Sequence, residues 1–210
     1  MSGLFITFEG GEGAGKTTQI RLLKDALEKL GRDVLLTREP GGSDGAETIR
    51  PLLVSGHANW DALTEVLLFS AARRDHLVQK IWPAVRENKI VLCDRFADST
   101  MAYQGYGRGD DKEIQEKLTE LYKMIAGNFE PDLTFILDID PEIGLKRSCE
   151  RAGNTERRFE DMDISFHQNL RQAFLKIASK NQKRYHVISA EQSIENIHQE
   201  IMKVIDEYVQ

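Results

Sequence analysis

Residues 10–17 read Gly10-Gly11-Glu12-Gly13-Ala14-Gly15-Lys16-Thr17, which fits the pattern G-x-x-x-x-G-K-[ST] and the chemistry of a bound polyphosphate. Glycines let successive backbone N–H groups turn inward around an anion, and a helix starting near Lys16 adds the positive end of its dipole. Lys16 can then reach the β and γ phosphates of a nucleoside triphosphate, and the Thr17 hydroxyl can ligate Mg²⁺, with Thr18 next at the helix start. The pattern carries this meaning only between a strand and a helix. Here it follows the apolar run Leu4 to Phe8 and precedes a helical pattern. A glycine-rich turn with an incidental Lys-Thr is the alternative, and the full pattern in its full context argues against it.

Asp94 ends the apolar run Ile90 to Cys93, where parallel strands present carboxylates to a ligand crevice, so it is the expected acidic partner of the Mg²⁺ shell. Glu9, immediately before the cradle, is a second candidate, set against a strand-end carboxylate that simply faces solvent. Arg38, Arg50, Arg73 and Arg95 fall near expected element ends or on helices that could line the crevice. Together they can hold a second anionic group by forked hydrogen bonds, although each taken singly also fits a solvated surface arginine.

These groups need a scaffold. Apolar runs rich in branched residues occur at Leu4 to Phe8, Val34 to Leu36, Ile90 to Cys93, Leu133 to Leu137 and His186 to Ile188, each expected as a buried strand. The first helical pattern puts Ile20, Leu23, Leu27 and Leu30 on one face and ends at Gly31, as an apolar stripe with a glycine stop should. Further helices are expected over Ala46 to Leu53, Leu63 to Val85, Lys112 to Ala126, Glu142 to Glu150, Ile164 to Ser179 and Ile194 to Tyr208. Such alternation implies right-handed crossovers and a three-layer α/β fold with a parallel five-stranded sheet. Two glycine-rich stretches, Glu39 to Ser43 and Gln104 to Gly109, read as surface turns when taken alone. The last helix, with Ile194, Ile197, Ile201 and Val204 on one face, fits packing on the core or against a partner subunit.

At 210 residues the chain is expected to form one domain. Hydrophobic residues at 40% and charged residues at 30% favour a globular chain, and no apolar run reaches membrane-spanning length. The N-terminus enters the first strand without a secretory leader pattern, which points to the cytoplasm. Cys93 and Cys149 lack disulfide or zinc spacing and are expected as reduced thiols. A net charge of -6 disfavours nucleic acid as a partner. His57, His76, His167, His186 and His198 are scattered without partner motifs and are expected to be structural or surface groups.

A phosphate cradle alone establishes only triphosphate binding. The cradle together with Thr37-Arg38-Glu39-Pro40-Gly41-Gly42, Asp94-Arg95-Phe96 and Ser99-Thr100-Met101-Ala102-Tyr103-Gln104-Gly105 resembles the signature set of the bacterial thymidylate kinases. The likeness spans nearly the whole chain in the right order, through Pro131-Asp132 and Leu137-Asp138-Ile139-Asp140-Pro141-Glu142. It implies that Phe69 stacks on thymine and that Arg73 bonds the base edge; by spacing alone Phe69 reads as core. It further implies that Thr100 and Gln104 read the remaining polar edge, that Tyr103 faces the sugar, and that Arg50 and Arg95 grip the acceptor monophosphate. Glu12 would lie near the acceptor's 3′-hydroxyl, although a carboxylate beside a phosphate cradle repels ATP unless it has another partner.

The cradle contains no arginine, and the basic run from Lys146 to Arg158 resembles the lid of family members that carry the catalytic arginine there, with a mobile lid expected at about residues 146–160. Arg151 matches the residue that reaches the transferred phosphate and Arg147 the one that packs against adenine, while a solvated helix end is the plain alternative for such a run. The resemblance implies a homodimeric enzyme that phosphorylates dTMP to dTDP for dTTP synthesis, with ATP as co-substrate and Mg²⁺. A kinase for another nucleoside monophosphate is the nearest rival. A GTP-binding switch is disfavoured because no Asn-Lys-x-Asp guanine-reading motif follows any strand.

Overall fold

The structure, a computed structural model, describes residues 3–55, 59–107, 109, 111–150 and 158–209. Strands β1 (Leu4–Glu9), β2 (Val34–Arg38), β3 (Ile90–Asp94), β4 (Leu133–Asp138) and β5 (Tyr185–Ser189) form at the five apolar runs. They make one sheet in the order β2-β3-β1-β4-β5, with every neighbouring pair parallel.

Side chains alternate across a strand, so one sheet must be covered twice. Ile6 and Phe8 of β1 join Leu92, Phe135 and Leu137 on the face packed by α1 (Lys16–Lys29) and α9 (Ile194–Val209), through Leu23, Leu27, Ile201 and Ile205. Of the apolar face expected on α9, Ile197 and Ile201 are buried in this core and Val204 packs at its edge, whereas Ile194 is 50% exposed. Phe5, Val91 and Cys93 point the other way, toward Leu77, Ile81 and Phe96. On the Phe5 face the buried hydroxyls of Thr7 and Thr134 bond each other at 2.8 Å, so each has a partner at the sheet centre.

The remaining helices are α2 (Asp44–Val54), α3 (Ala62–His76), α4 (Trp82–Arg86), α5 (Ala97–Thr100), α6 (Lys112–Ala126), α7 (Pro141–Cys149) and α8 (Ile164–Ala178). Two segments differ from expectation. The single helix expected over Leu63 to Val85 is interrupted by a π-helical turn at Leu77–Ile81. Pro83 follows in the first turn of α4, and because its ring lacks an N–H and collides with the preceding carbonyl, a widened turn ahead of it lets the helix continue.

The second difference bears on function. The stretch expected as a surface turn, Gln104 to Gly109, begins inside a π-helical continuation of α5 over Met101–Tyr106, in which Tyr103, Gln104 and Gly105 are buried. Gly107 serves close packing: a Cβ there would stand 2.7 Å from a ring carbon of Phe166 on α8. Glu39 to Ser43 is likewise no surface turn, since Glu39 and Ser43 are buried. Among the described residues no helix is long and apolar enough to cross a membrane.

Candidate active site

The cradle runs from the end of β1 into α1. Gly15 is the N-cap of α1, with φ 86° and no side-chain cap, and no acidic residue follows in the first turn. The first-turn N–H groups, which have no intrahelical acceptor, are thus left for an anion. Gly13 has φ 66°, and a Cβ there would stand 2.0 Å from the carbonyl oxygen of Gly144. The loop therefore lies directly on α7, and only glycine permits that approach.

Lys16 is 7% exposed and its Nζ donates to the carbonyls of Gly10 (3.1 Å) and Gly11 (2.9 Å), so the ammonium is folded into the loop it would complete. Burial and the Arg95 charge bring its pKa down to about 8. The Thr17 hydroxyl donates to Asp94 Oδ2 at 2.8 Å, joining the start of α1 to the end of β3. Among the described residues no group of three or more His, Cys, Asp or Glu side chains is placed to hold a metal. A hydroxyl and one carboxylate fit Mg²⁺, which keeps waters and takes substrate phosphates as its other ligands.

Glu9 does not join that pair. It is fully buried, its Oε1 accepting from the Phe96 N–H at 2.8 Å and its Oε2 from the Ser99 hydroxyl. Both oxygens are engaged by protein and the residue does not line the cavity described below, which corrects both the metal and the solvent-facing readings. Burial and the neighbouring Asp98 carboxylate push its pKa up to about 7.

A cavity of about 650 Å³ opens beside the cradle. Gly13, Ala14, Gly15, Lys16, Thr17, Thr18 and Asp94 line it, and so does every residue expected at the acceptor: Glu12, Arg38, Arg50, Phe69, Arg73, Arg95, Thr100, Tyr103 and Gln104. Gly10 and Gly11 line instead a smaller cavity behind the loop.

Arg95 joins the two ends. Its Nη1 donates to Gly10 O at 2.9 Å and Ser99 Oγ at 3.2 Å, its Nη2 to Glu12 Oε1 at 2.9 Å, and its guanidinium lies 5.1 Å from the Tyr103 ring centre. Its φ of 67° is a left-handed conformation, which costs a non-glycine residue about 1–2 kcal/mol. That backbone aims the side chain back over the cradle.

Glu12 has the partners that its position demands. Burial alone would raise its pKa, but Arg95, Lys16 and the Tyr103 hydroxyl, which donates at 2.6 Å, hold it at about 2. The carboxylate is thus neutralised within the site before any nucleotide arrives.

At the other end Arg73, 4% exposed, donates from Nε to Glu39 at 2.8 Å and from Nη2 to Thr100 Oγ1 at 2.7 Å. Gln104 is 3% exposed, and neither atom of its amide bonds another protein group. A buried unpaired amide is costly, so this one marks a place where a polar ligand is accommodated. Arg50 bonds the carbonyl of Pro40, and Arg38 makes an exposed ion pair with Glu47 at 3.1 Å.

Several lining residues had no motif to announce them. Arg21 lies one turn beyond Thr17 on the same helix face, a spacing that was readable. Phe159 and Glu160 also line the cavity: Phe159 packs edge-on against Tyr103, and Glu160 accepts from the Ser148 hydroxyl. Beside them Arg158 reaches Glu65 and the carbonyl of Leu53, each at 2.7 Å. Arg147 is exposed on α7, donates to Ala190 O at 2.9 Å and does not line the cavity. Arg151 and the rest of residues 151–157, like His57, lie outside the described residues.

Comparison with known proteins agrees with this geometry. The family model described as thymidylate kinase matches residues 8–201. A thymidylate kinase of Magnetococcus marinus is 48% identical over 207 residues, covering 98% of this chain and 97% of that protein. One from Ruegeria pomeroyi is 46% identical over 205 residues, covering 97% and 95%. The crystal structure of thymidylate kinase from Ehrlichia chaffeensis superposes with a TM-score of 0.78 at 39% identity, covering 98% of this chain and 99% of that one. With a family match over most of its length and relatives this similar, the chain belongs to the thymidylate kinase family.

Proposed function

We infer that the protein phosphorylates dTMP, moving the terminal phosphoryl group of ATP onto the acceptor's phosphate oxygen with formation of dTDP and ADP. The observation that carries this reading is one cavity lined by the cradle and by Phe69, Arg73 and Gln104, with Arg95 bonded to both ends. CMP and AMP fit less well, because a guanidinium can only donate and so favours a carbonyl edge over an amino edge.

The acceptor phosphate is largely ionised near neutral pH, its second pKa being about 6, so the reaction needs no strong general base. Positioning and charge neutralisation remain. In this reading Lys16 leaves the Gly10 and Gly11 carbonyls for the donor's phosphates, while Arg95 and Arg50 hold the acceptor's phosphate. Mg²⁺ held by Thr17 and Asp94 would neutralise phosphate oxygens. Arg151, on a lid at about residues 146–160 of a single kinase domain (residues 1–210), supplies the remaining charge, and Arg147 packs against adenine.

A homodimer is part of the proposal, supported by Leu52, Leu67 and Met124, exposed on α2, α3 and α6, of which α3 packs against both others. Cytoplasmic location is supported by the free thiols of Cys93 and Cys149. ADP formation from ATP and Mg²⁺ with dTMP, dUMP, CMP, GMP and AMP tests the central reading. dTMP is expected to be preferred, and a clear preference for another acceptor overturns the substrate while leaving the fold intact.

A further inference from the structure

A chain of buried polar groups runs beneath the base end of the cavity. Arg73 Nε and Glu39 Oε2 meet at 2.8 Å; the carboxylate's other oxygen, Oε1, meets His76 Nδ1 at 3.0 Å, and His76 Nε2 meets Thr37 Oγ1 at 2.6 Å. His76 is 0% exposed and Glu39 7%. The chain thus ties the end of β2, the turn after it and α3 to a residue that lines the cavity.

Part of the chain has a fixed direction. An ionised carboxylate only accepts, so Nδ1 of His76 carries a proton whether the ring is neutral or charged, while the Thr37 hydroxyl can donate to Nε2 of the neutral ring or accept from the charged one. The backbone of Gly42, with φ 89°, passes close beside this pair: a Cβ there would stand 2.4 Å from both His76 Nε2 and Thr37 Oγ1.

What the ring holds is an orientation. Arg73 hydrogen-bonds one oxygen of Glu39, while its Nη2 reaches Thr100 and its Cζ lies 5.1 Å from the Phe96 ring centre. A carboxylate released by His76 can rotate to take the guanidinium by both oxygens, a stronger pairing that draws Arg73 away from Thr100. We propose that His76 is a positioning residue for acceptor recognition: by donating Nδ1–H to Glu39 it keeps Arg73 aimed into the cavity, and so sets dTMP affinity and base preference without touching the nucleotide. This rests on the reading that Arg73 bonds the base edge.

The test compares His76→Leu, His76→Gln and His76→Asn with Arg73→Ala, measuring kcat and KM for both substrates with dTMP and dCMP as acceptors. A short asparagine amide can donate from near the Nδ1 position; the longer glutamine amide reaches toward Thr37 instead. His76→Leu and His76→Gln should raise KM for dTMP about tenfold and erode the dTMP-over-dCMP ratio of kcat/KM similarly, with kcat and KM for ATP within about threefold. His76→Asn should recover most of the loss. If His76→Leu does not fold, the contrast between the two amides decides.

Unchanged dTMP KM in the glutamine variant, equal losses in both amide variants, or a parallel loss of kcat and of affinity for both substrates overturns the proposal. If Arg73→Ala itself leaves the dTMP-over-dCMP ratio intact, the failure lies with the base-edge reading of Arg73.

Discussion

Helix α1 begins at Gly15 with no side-chain cap, whereas α3, α6, α7 and α8 begin after Asp61, Asp111, Asp140 and Asp163, whose carboxylates accept first-turn N–H groups. Such caps each stabilise a helix by about 1 kcal/mol. α1 forgoes one, and an aspartate there would place a negative charge where phosphate must go. The same division separates the two ends of the cavity. The donor end is built from contiguous backbone and adds Lys16 and Thr17, while the acceptor end is built from side chains on β2, α2, α3, α5 and the turn after it. A backbone cradle recognises polyphosphate whatever base it carries; a ring, a guanidinium and an amide can discriminate between bases.

The largest test of that division removes charge at the donor end. Lys16→Met should lower kcat by at least on the order of 10²-fold and Arg151→Ala by on the order of 10³-fold. In both, KM for dTMP should stay within about threefold. Steady-state kinetics at saturating ATP give the answer, and normal turnover of Arg151→Ala would remove the lid arginine from the mechanism.

Glu9 sits at the seam between the ends, and its effect should appear as proton-linked stability. Burial and the Asp98 carboxylate push its carboxyl up to about 7, well above the ordinary glutamate value of 4.5. Between those values the folded state keeps a proton that the unfolded chain has released. Its stability contribution is therefore complete below the unfolded value and is lost as pH rises through 7. Relative to Glu9→Gln, which keeps an acceptor for Phe96 N–H, the wild type should lose on the order of a few kcal/mol across that window in urea unfolding. A pH-independent difference would show that this carboxylate stays ionised.

Gln104→Leu should separate function from stability at the acceptor end. The amide has no protein partner, so replacing it should raise KM for dTMP about tenfold while the melting temperature does not fall. A lower melting temperature with unchanged KM would make Gln104 a structural residue. The smallest effect is expected at a capped helix: Asp163→Ala should cost about 1 kcal/mol of stability and leave KM for ATP unchanged. A changed KM would mean that α8 takes part in donor binding.

Much of this is legible in the sequence. The strands appear at the apolar runs because buried parallel strands are written as continuous branched stretches. The cradle was legible because its chemistry is local: the groups that hold a phosphate are neighbours in the chain. Two turns were misread, since glycine density at Gln104 to Gly109 looks the same whether the residue frees a loop or admits a neighbouring ring such as Phe166. Glu9 was misplaced because β1 ends beneath the site, where Phe96 and Ser99 claim its oxygens.

By itself the sequence determined the fold class, the phosphate cradle, the Thr17 and Asp94 pair, and a set of arginines in search of a common anion. Only the tertiary structure decided that Arg95 neutralises Glu12 across 83 positions, that the Gln104 amide is left unpaired, and that a buried histidine stands behind Arg73. The reason is physical. A cradle is set by the φ and ψ of successive residues, whereas the partner of a buried side chain is set by which distant segments the sheet and its helices bring within hydrogen-bond reach.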